Sequence, residues 1–386
     1  MGKKLLLVSF DAVGSDELTV LRELPNFKRI FANGRIFPNL KTVFISNTYP
    51  IHSSIVTGVV PEKHGLISNV MLQPQNPKPW WNYDSHLLKA EPLWDTIAKK
   101  GLTTAAVMWP VTAYAKNIRW NIPEIAIREG ENQILANLRT GSKLIQIFTY
   151  LRHHKLLRGI EQPERDHFSA ACMQDIINLG APDLMLMHLT AYDSLCHEYG
   201  RGSAETMDAL RKMDGFLGML ADACEEDTTV IVFSDHAQLN VHTAVDPNRI
   251  LEFLGYLKYH EDGTVSNERV VFQNQDGSSF CFNRGLDPEQ LGLVRDAVLA
   301  DPAVERLLTE EEMRESGFAG NAEFGICAKE GYYFKASNNE KATHGYPTNY
   351  PNYDVFFAIS DPWPDLESNS ILEVTKAARE ILGVRS

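Results

Sequence analysis

Two kinds of hydrophobic pattern alternate along most of this chain. Continuous apolar runs, typical of strands buried on both faces, are found at 4–10, 103–109, 183–189, 229–234 and 354–360. Segments with apolar residues at helical spacing lie between them, at 18–32, 92–100, 204–224 and 368–382. A short helix is predicted to follow Pro50 and to stop at Gly58. The alternation predicts an α/β fold in which helices cover a mostly parallel central sheet.

Two regions interrupt this pattern. The first, 114–165, contains a basic amphipathic stretch, 143–158, with Leu144, Ile147, Phe148 and Leu151 at helical spacing. Such a stretch can lie on a membrane surface, but a cap helix over the core is the commoner case and is the interpretation preferred here. The second region, 245–340, mixes strands with predicted helices at 287–299 and 309–316. We therefore predict a catalytic core, 1–244 plus 341–386, with a cap segment at 114–165 and an inserted α+β lobe at 245–340.

Composition and charge narrow the function. The chain has 386 residues, and its 37 Lys and Arg against 50 Asp and Glu give a net charge of −13. This balance argues against nucleic acid polymers and membranes as partners, and any phosphate-bearing substrate would need local positive charge. The five cysteines are scattered and odd in number, and the first apolar run is shorter than a signal sequence. A cytoplasmic location is therefore expected, while the oligomeric state, homodimer included, is left open.

Carboxylates follow three of the predicted strands, and this is where open α/β sheets bind their ligands. Asp193 and His197 are four residues apart, so on a helix they share one face. His344 can return to the same edge of the sheet before the last strand and complete a set of three ligands. Asp11, Asp235 and His236 form a second set. Oxygen and imidazole ligands without thiolate favour two Zn²⁺ ions, with Mn²⁺ or another divalent ion as the alternative.

Thr48 is the candidate nucleophile. Pro50 is suited to the first turn of a helix, which places Thr48 at the helix start, where backbone N–H groups favour an anion. A threonine hydroxyl is a poor nucleophile unless a metal ion holds it as an alkoxide, so Thr48 is also a candidate ligand of the second ion. Each of these signals is weak alone, and their order along the chain is what makes them specific.

Together the motifs resemble the alkaline phosphatase superfamily and, within it, the type I phosphodiesterase/nucleotide pyrophosphatase family. The matching stretches are Val8-Ser9-Phe10-Asp11, Thr48-Tyr49-Pro50-Ile51-His52, Pro61-Glu62-Lys63-His64-Gly65, Asp193-x3-His197, Ser234-Asp235-His236 and Thr343-His344-Gly345-Tyr346. The resemblance implies an alkaline phosphatase-like α/β/α sandwich. It also implies one zinc on Asp193, His197 and His344, a second on Asp11, Asp235, His236 and Thr48, and transient phosphorylation of Thr48.

Two further roles depend on the resemblance. Asn69 matches an asparagine that binds a non-bridging phosphate oxygen, so it is a candidate catalytic and substrate-binding residue beside the Thr48 N–H. Tyr49 matches an aromatic residue that stacks on nucleobases, although simple packing at the helix start explains it equally well. The remaining histidines near the motifs are expected to be structural or to support the ligands, and they are His52, His64, His188 and His242.

The predicted activity is metal-dependent hydrolysis of a small phosphodiester or pyrophosphate through a phospho-threonine intermediate. The substrate could be a nucleotide. Phosphonate (C–P) hydrolysis and phosphomonoester hydrolysis with the same metal site are the alternatives. A monoesterase needs an added Arg or Lys to bind the extra charge, and no motif in the sequence supplies one. The sulfatase nucleophile motif is absent. A non-catalytic metal-stabilised binding protein is disfavoured because candidates for every catalytic group are present.

Overall fold

The computed structural model describes residues 3–76, 78–159 and 161–384. Within them the chain forms strands β1 (Leu5–Phe10), β2 (Arg35–Leu40), β3 (Thr104–Val107), β4 (Trp120–Ile122), β5 (Leu184–Leu189), β6 (Thr229–Phe233), β7 (Leu239–Asn240), β8 (Thr243–Val245), β9 (Lys258–Tyr259), β10 (Val265–Ser266), β11 (Val270–Gln275), β12 (Ser278–Asn283), β13 (Val304–Leu307), β14 (Phe324–Ala328), β15 (Tyr332–Phe334), β16 (Ala342–Thr343) and β17 (Val355–Ile359). The helices are α1 (Leu18–Leu21), α2 (Pro25–Ile30), α3 (Thr48–Thr57), α4 (Pro61–His64), α5 (Leu93–Ala98), α6 (Gln133–Thr140), α7 (Lys143–His153), α8 (Glu164–Gly180), α9 (Ala191–Tyr199), α10 (Ala204–Ala223), α11 (Pro247–Phe253), α12 (Pro288–Leu299), α13 (Glu310–Glu315) and α14 (Glu373–Ile381).

A seven-stranded sheet runs through the middle of the molecule in the order β2-β17-β6-β1-β5-β3-β4. β17 is antiparallel to both of its neighbours, and the remaining pairs are parallel. β1 lies between β5 and β6, with Leu5 opposite Leu184 on one side and Thr229 on the other. The carboxyl ends of these three strands therefore meet at one edge, as their continuous apolar sequences predicted.

Helices cover both faces of this sheet. Leu6 and Val8 of β1 belong to a buried cluster with α8 and α10, whereas Leu5 and Leu7 belong to one with α3, α5 and α14. Because successive side chains of a strand point to opposite faces, one strand contributes to both layers. The predicted α/β/α sandwich with a mostly parallel sheet is confirmed.

The segment 245–340 contains a four-stranded antiparallel sheet, in the order β11-β12-β14-β13, with helices α11 to α13. The chain then returns through β16, which pairs with β7 just after the end of β6. Among the described helices, none is both long enough and apolar enough to cross a lipid bilayer.

Two predicted helices differ from those observed. The helix predicted at 18–32 is split, because Pro25 lacks an N–H and begins a new helix, α2, instead of continuing α1. The C-terminal helix begins at Glu373 rather than at 368.

The amphipathic helix α7 lies against the core with the face opposite to the one expected. Ile145 and Thr149 are buried, whereas Leu144 and Leu151 are 86% and 68% exposed. Ile147 and Phe148 are exposed as well. The apolar residues at helical spacing therefore face outward, away from the core that they were expected to cover.

Candidate metal centre and nucleophile

The first cluster of predicted ligands lies where β1 and β6 end. Asp11 follows β1 directly, and Asp235 and His236 come two and three residues after β6. His236 Nε2 is 3.4 Å from Asp11 Oδ1 and 3.4 Å from Asp235 Oδ2. One ligand atom from each residue lies within 4.8 Å of the other two. The structure thus brings these three side chains together in a buried position.

The second cluster joins helix α9 to the loop after β16. Asp193 and His197 lie one turn apart on α9, with His197 Nε2 3.4 Å from Asp193 Oδ1. His344 follows β16, and the three ligand atoms lie within 4.8 Å of one another. The rings of His236 and His344 are 4.3 Å apart between centroids, so the two clusters are adjacent.

The unsatisfied atoms in these clusters fit metal ions. Asp11 Oδ1 and Asp235 Oδ2 are buried and have no hydrogen-bond partner among the described residues. Buried carboxylate oxygens without donors are costly unless a cation is present. Two open sets of oxygen and imidazole donors, with no thiolate, suit divalent ions such as zinc.

Burial sets the protonation of the first cluster. It raises the pKa of Asp11 well above its ordinary value, and the nearby Asp235 adds to the effect. Burial also raises the pKa of Asp235 to about 6. Burial lowers the pKa of His236 to about 4, so near pH 7 this imidazole is neutral and offers a lone pair to a cation.

In the second cluster, neighbouring charged groups as well as burial shift the pKa values. Burial opposes ionisation of Asp193, but His197 and His344 outweigh it and hold the pKa of Asp193 below its usual range. Burial alone would lower the pKa of His197, yet Asp193 and Glu340 raise it well above 6.5. Burial lowers the pKa of His344 to about 4, and its Nδ1 lies 2.8 Å from Asn47 Oδ1. A protonated Nδ1 donating to Asn47 would leave Nε2 of His344 free for a metal ion.

Thr48 is the first residue of α3, and Asn47 is the N-cap, with an extended backbone. Pro50 falls in the first turn, as predicted, and the helix ends at Gly58, whose φ of +77° is a left-handed conformation that glycine adopts without strain. Thr48 Oγ1 lies 3.3 Å from His236 Nε2. The hydroxyl is therefore at the helix N-terminus and in contact with the first cluster.

Asn69 and Tyr49 lie beside Thr48. Asn69 Oδ1 accepts a hydrogen bond from the Tyr49 N–H at 2.9 Å, so this side chain caps the first turn of α3 and its NH₂ group remains as a donor. The Tyr49 ring is buried and packs against Trp81, with ring centroids 5.3 Å apart. Trp81 is 37% exposed and was not singled out from the sequence.

Of the four additional histidines, His188 and His52 lie beside the first cluster and Thr48. His188 Nε2 is 3.0 Å from Asp11 Oδ2, and His52 Nδ1 is 2.8 Å from the Thr48 carbonyl oxygen. With Asp235, these two histidines form a third group of potential ligand atoms within 4.8 Å, which overlaps the first cluster. His64 bonds to Ser54, and His242 is exposed.

A cavity of about 610 Å³ is lined by Thr48, by Asp11 of the first cluster and by all three residues of the second cluster. Its wall includes five side chains that the sequence did not indicate: Asn47, Glu124, Arg165, Lys335 and Glu340. Asn47 is next to Thr48 and could have been found there, but the others come from segments without a motif. Arg165 and Lys335 thus place an arginine and a lysine at the site although no sequence motif indicated one.

A mostly parallel sheet with carboxylates and imidazoles clustered at its carboxyl edge is the arrangement expected of a member of the alkaline phosphatase superfamily. A family model described as type I phosphodiesterase/nucleotide pyrophosphatase matches residues 5–347. The chain belongs to this family.

Curated relatives match parts of the chain. Human ectonucleotide pyrophosphatase/phosphodiesterase family member 1 is 27% identical over 259 residues, which cover 64% of this chain and 24% of the relative. Human bis(5′-adenosyl)-triphosphatase ENPP4 is 37% identical over 120 residues, covering 28% of this chain and 25% of the relative. The chain thus spans about a quarter of the length of these relatives.

Solved structures share the fold over the whole chain. Murine ectonucleotide pyrophosphatase/phosphodiesterase 5, an inactive variant in complex with AMP, aligns with a TM-score of 0.69 and 19% identity, covering 100% of this chain and 96% of its own. Phosphonoacetate hydrolase from Sinorhizobium meliloti 1021, in complex with phosphonoacetate, aligns with a TM-score of 0.71 and 17% identity, covering 99% and 95%.

Proposed function

We propose that this protein hydrolyses a phosphodiester or pyrophosphate bond of a small substrate, with Thr48 as the nucleophile. The observation that carries the proposal is the position of the Thr48 hydroxyl. It lies at a helix N-terminus, 3.3 Å from His236 Nε2, in the cavity that is lined by Asp11 and by the second cluster. A cavity of about 610 Å³ accommodates a ligand the size of a nucleotide.

The residues proposed to hold the two metal ions are Asp193, His197 and His344 for one, and Asp11, Asp235, His236 and Thr48 for the other. When bound, such ions supply Lewis acidity and offset the negative charge of the attacking and leaving oxygens. Zinc suits these donors best, with manganese as the alternative.

The reaction divides into two displacements. The Thr48 oxygen forms a bond to phosphorus as the bond to the leaving oxygen breaks, and the Asn69 NH₂ group donates to a non-bridging oxygen. Water then attacks the phospho-threonine from the opposite side, which restores the hydroxyl and releases the product. Two in-line steps give net retention of configuration at phosphorus.

Both the relatives and the cavity favour a nucleotide as the substrate. Members of the family include nucleotide pyrophosphatases, and the half-exposed ring of Trp81 next to Tyr49 offers a face on which a base can stack. A nucleotide is therefore the proposed substrate. Phosphonate hydrolysis is the second candidate, because the cavity contains the cation Arg165, which a small anionic substrate would need.

The test compares kcat/KM of the zinc-loaded protein for a nucleoside p-nitrophenyl phosphodiester, p-nitrophenyl phosphate and phosphonoacetate. We expect preference for the diester, loss of activity in chelated protein, and a reduction of at least about 1,000-fold in Thr48→Ala. Thr57→Ala, in the last turn of the same helix, is the matched control and should leave activity within about threefold. Undiminished turnover in Thr48→Ala would overturn the proposed nucleophile.

A further inference from the structure

The proposed catalytic cavity is rich in carboxylates and is also lined by one lysine and one arginine. Asp11, Glu124, Asp193, Asp276 and Glu340 line it, together with Lys335 and Arg165. Lys335 is already paired, since its Nζ contacts Glu340 and is 3.7 Å from Asp276 Oδ1. Arg165 has no carboxylate within 4.0 Å in the part of the chain that the structure describes. Of the lysine and the arginine in this cavity, Arg165 is therefore the one that makes no ion pair within 4.0 Å among the described residues.

The hydrogen bonding of Arg165 leaves donors for a ligand. Its Nη2 donates to Thr190 Oγ1 at 2.7 Å. Its Nε is buried and makes no hydrogen bond within the described residues. A guanidinium group has five N–H donors in a planar fork that matches two oxygens of a carboxylate or phosphate group. One bond to Thr190 holds the group in place, and the other Nη donors have no partner among the described residues.

The residue next to Arg165 is hydrogen-bonded to the start of helix α9, which contains two of the proposed metal ligands. Asp166, the next residue, is buried, and its carboxylate accepts hydrogen bonds from the N–H groups of Thr190 at 3.1 Å and Ala191 at 2.8 Å. These residues begin helix α9, which carries Asp193 and His197. The first turn of α8 is thus held against the start of α9, so the position of Arg165 relative to the metal ligands is set by the fold.

We propose that Arg165, oriented by Thr190, binds a second anionic group of the substrate, next to the phosphoryl group that Thr48 attacks. The inference rests on the proposed function and narrows its substrate class. The group recognised is a pair of oxygens on a phosphate or a carboxylate. It can come from the polyphosphate chain of a nucleotide or from the carboxylate of a small phosphonate, and the experiment separates these two sources.

The experiment measures kcat/KM of zinc-loaded wild type, Arg165→Met and Arg165→Lys for three substrates. They are a singly charged nucleoside p-nitrophenyl phosphodiester, a nucleoside 5′-triphosphate and phosphonoacetate. We expect Arg165→Met to lower kcat/KM by about 10- to 100-fold for the triphosphate or for phosphonoacetate, mainly because KM rises. For the diester, kcat/KM should fall by less than about threefold. Arg165→Lys should recover part of the loss, because it keeps the charge but not the fork.

The matched control is Arg158→Met, which removes an arginine of the same segment whose side chain is 76% exposed and outside the cavity. This variant should leave kcat/KM unchanged for all three substrates. A lower kcat/KM of Arg165→Met for the triphosphate would show that the second anionic group is part of a polyphosphate chain. A lower kcat/KM for phosphonoacetate would show that it is a carboxylate.

An equal loss on the singly charged diester, or no loss on any substrate, would overturn the role of Arg165 while leaving the proposed hydrolysis intact. Wild-type protein that cleaves only the diester would also overturn it. If wild type shows no Thr48-dependent turnover of any substrate, the proposed function itself has failed and the subsite with it.

Discussion

At the scale of a single residue, Asn69 has two roles that substitutions can separate. Its carbonyl oxygen accepts the Tyr49 N–H, and its NH₂ group is the donor proposed to bind a phosphate oxygen. Replacing Asn69 with Ala removes both, whereas replacing it with Asp keeps an acceptor for Tyr49, removes the donor and adds a negative charge. The pair of variants therefore distinguishes a capping residue from one that stabilises the transition state.

We predict that Asn69→Ala and Asn69→Asp both lower kcat on the phosphodiester, by about 100- to 1,000-fold, as expected for loss of an oxyanion donor. Asn69→Ala should also lower the free energy of unfolding by about 1 kcal/mol, because a helix-capping acceptor is lost. Steady-state kinetics and denaturant titration measure the two effects. Full activity in Asn69→Asp would mean that Asn69 only caps the helix.

At the scale of elements, the contact between α3 and α4 depends on a neutral histidine. His64 Nδ1 accepts the Leu66 N–H at 3.2 Å, and its Nε2 is 2.9 Å from Ser54 Oγ, which in turn donates to the Pro50 carbonyl. This arrangement requires a neutral His64 ring that has its proton on Nε2 and none on Nδ1. Burial accordingly lowers the pKa of His64 to about 4.

This lowered pKa gives a pH-dependent contribution to stability. The folded-state pKa is below the ordinary value of 6.5, so the unfolded chain takes up a proton first as the pH falls. The contribution is fully present above pH 6.5 and is lost as the pH decreases toward 4, by about 3 kcal/mol. His64→Gln should lose this part of the pH dependence, measured as the difference in unfolding free energy between pH 7 and pH 4. His242→Gln, at an exposed position, is the control, and equal pH slopes in His64→Gln and wild type would contradict the prediction.

The sequence predicted elements well where burial on both faces leaves a continuous apolar run, as in β1, β5 and β6. It failed where local pattern competes with chain geometry. Pro25 splits a helix whose apolar spacing continues through it, and α7 turns its apolar residues outward because Ile145 and Thr149 make the contact with the core. Spacing shows that a helix has two faces, but the packing decides which one is buried.

At the scale of the whole molecule, the candidate site combines short motifs with long-range contacts. Asp193 and His197 could be predicted because they are one helical turn apart. His344 could be placed only by assuming that the chain returns to the same edge. Arg165 and Glu340 have no motif, since their proximity to Thr48 depends on how α8 and the segment after β15 are packed. The grouping of the proposed ligands was therefore predictable, whereas Arg165, the residue proposed to bind a second anionic group of the substrate, was not.

The concentration of buried carboxylates at this edge couples metal binding to the stability of the whole fold. Asp11 and Asp235 are buried beside each other, and burial together with Asp235 raises the pKa of Asp11. Without an ion, the folded protein must either keep this charge in a poorly solvated place or take up a proton. A bound ion removes that cost, and at a concentration 100 times its dissociation constant it adds about 2.7 kcal/mol to the free energy of unfolding.

Asp11→Asn should therefore have opposite effects in the two states. In chelated protein the variant removes the cost of burying or protonating this carboxylate, so we expect it to unfold at a higher temperature than chelated wild type. With zinc the order should reverse, because the variant has lost a ligand and gains less from the ion. Thermal unfolding with and without chelator measures both comparisons, and Asp208→Asn, at a half-exposed position on α10, is the control that should not change the response to zinc. If chelated Asp11→Asn is less stable than chelated wild type and responds equally to zinc, then Asp11 stabilises the fold through its contact with His188 and does not bind the ion.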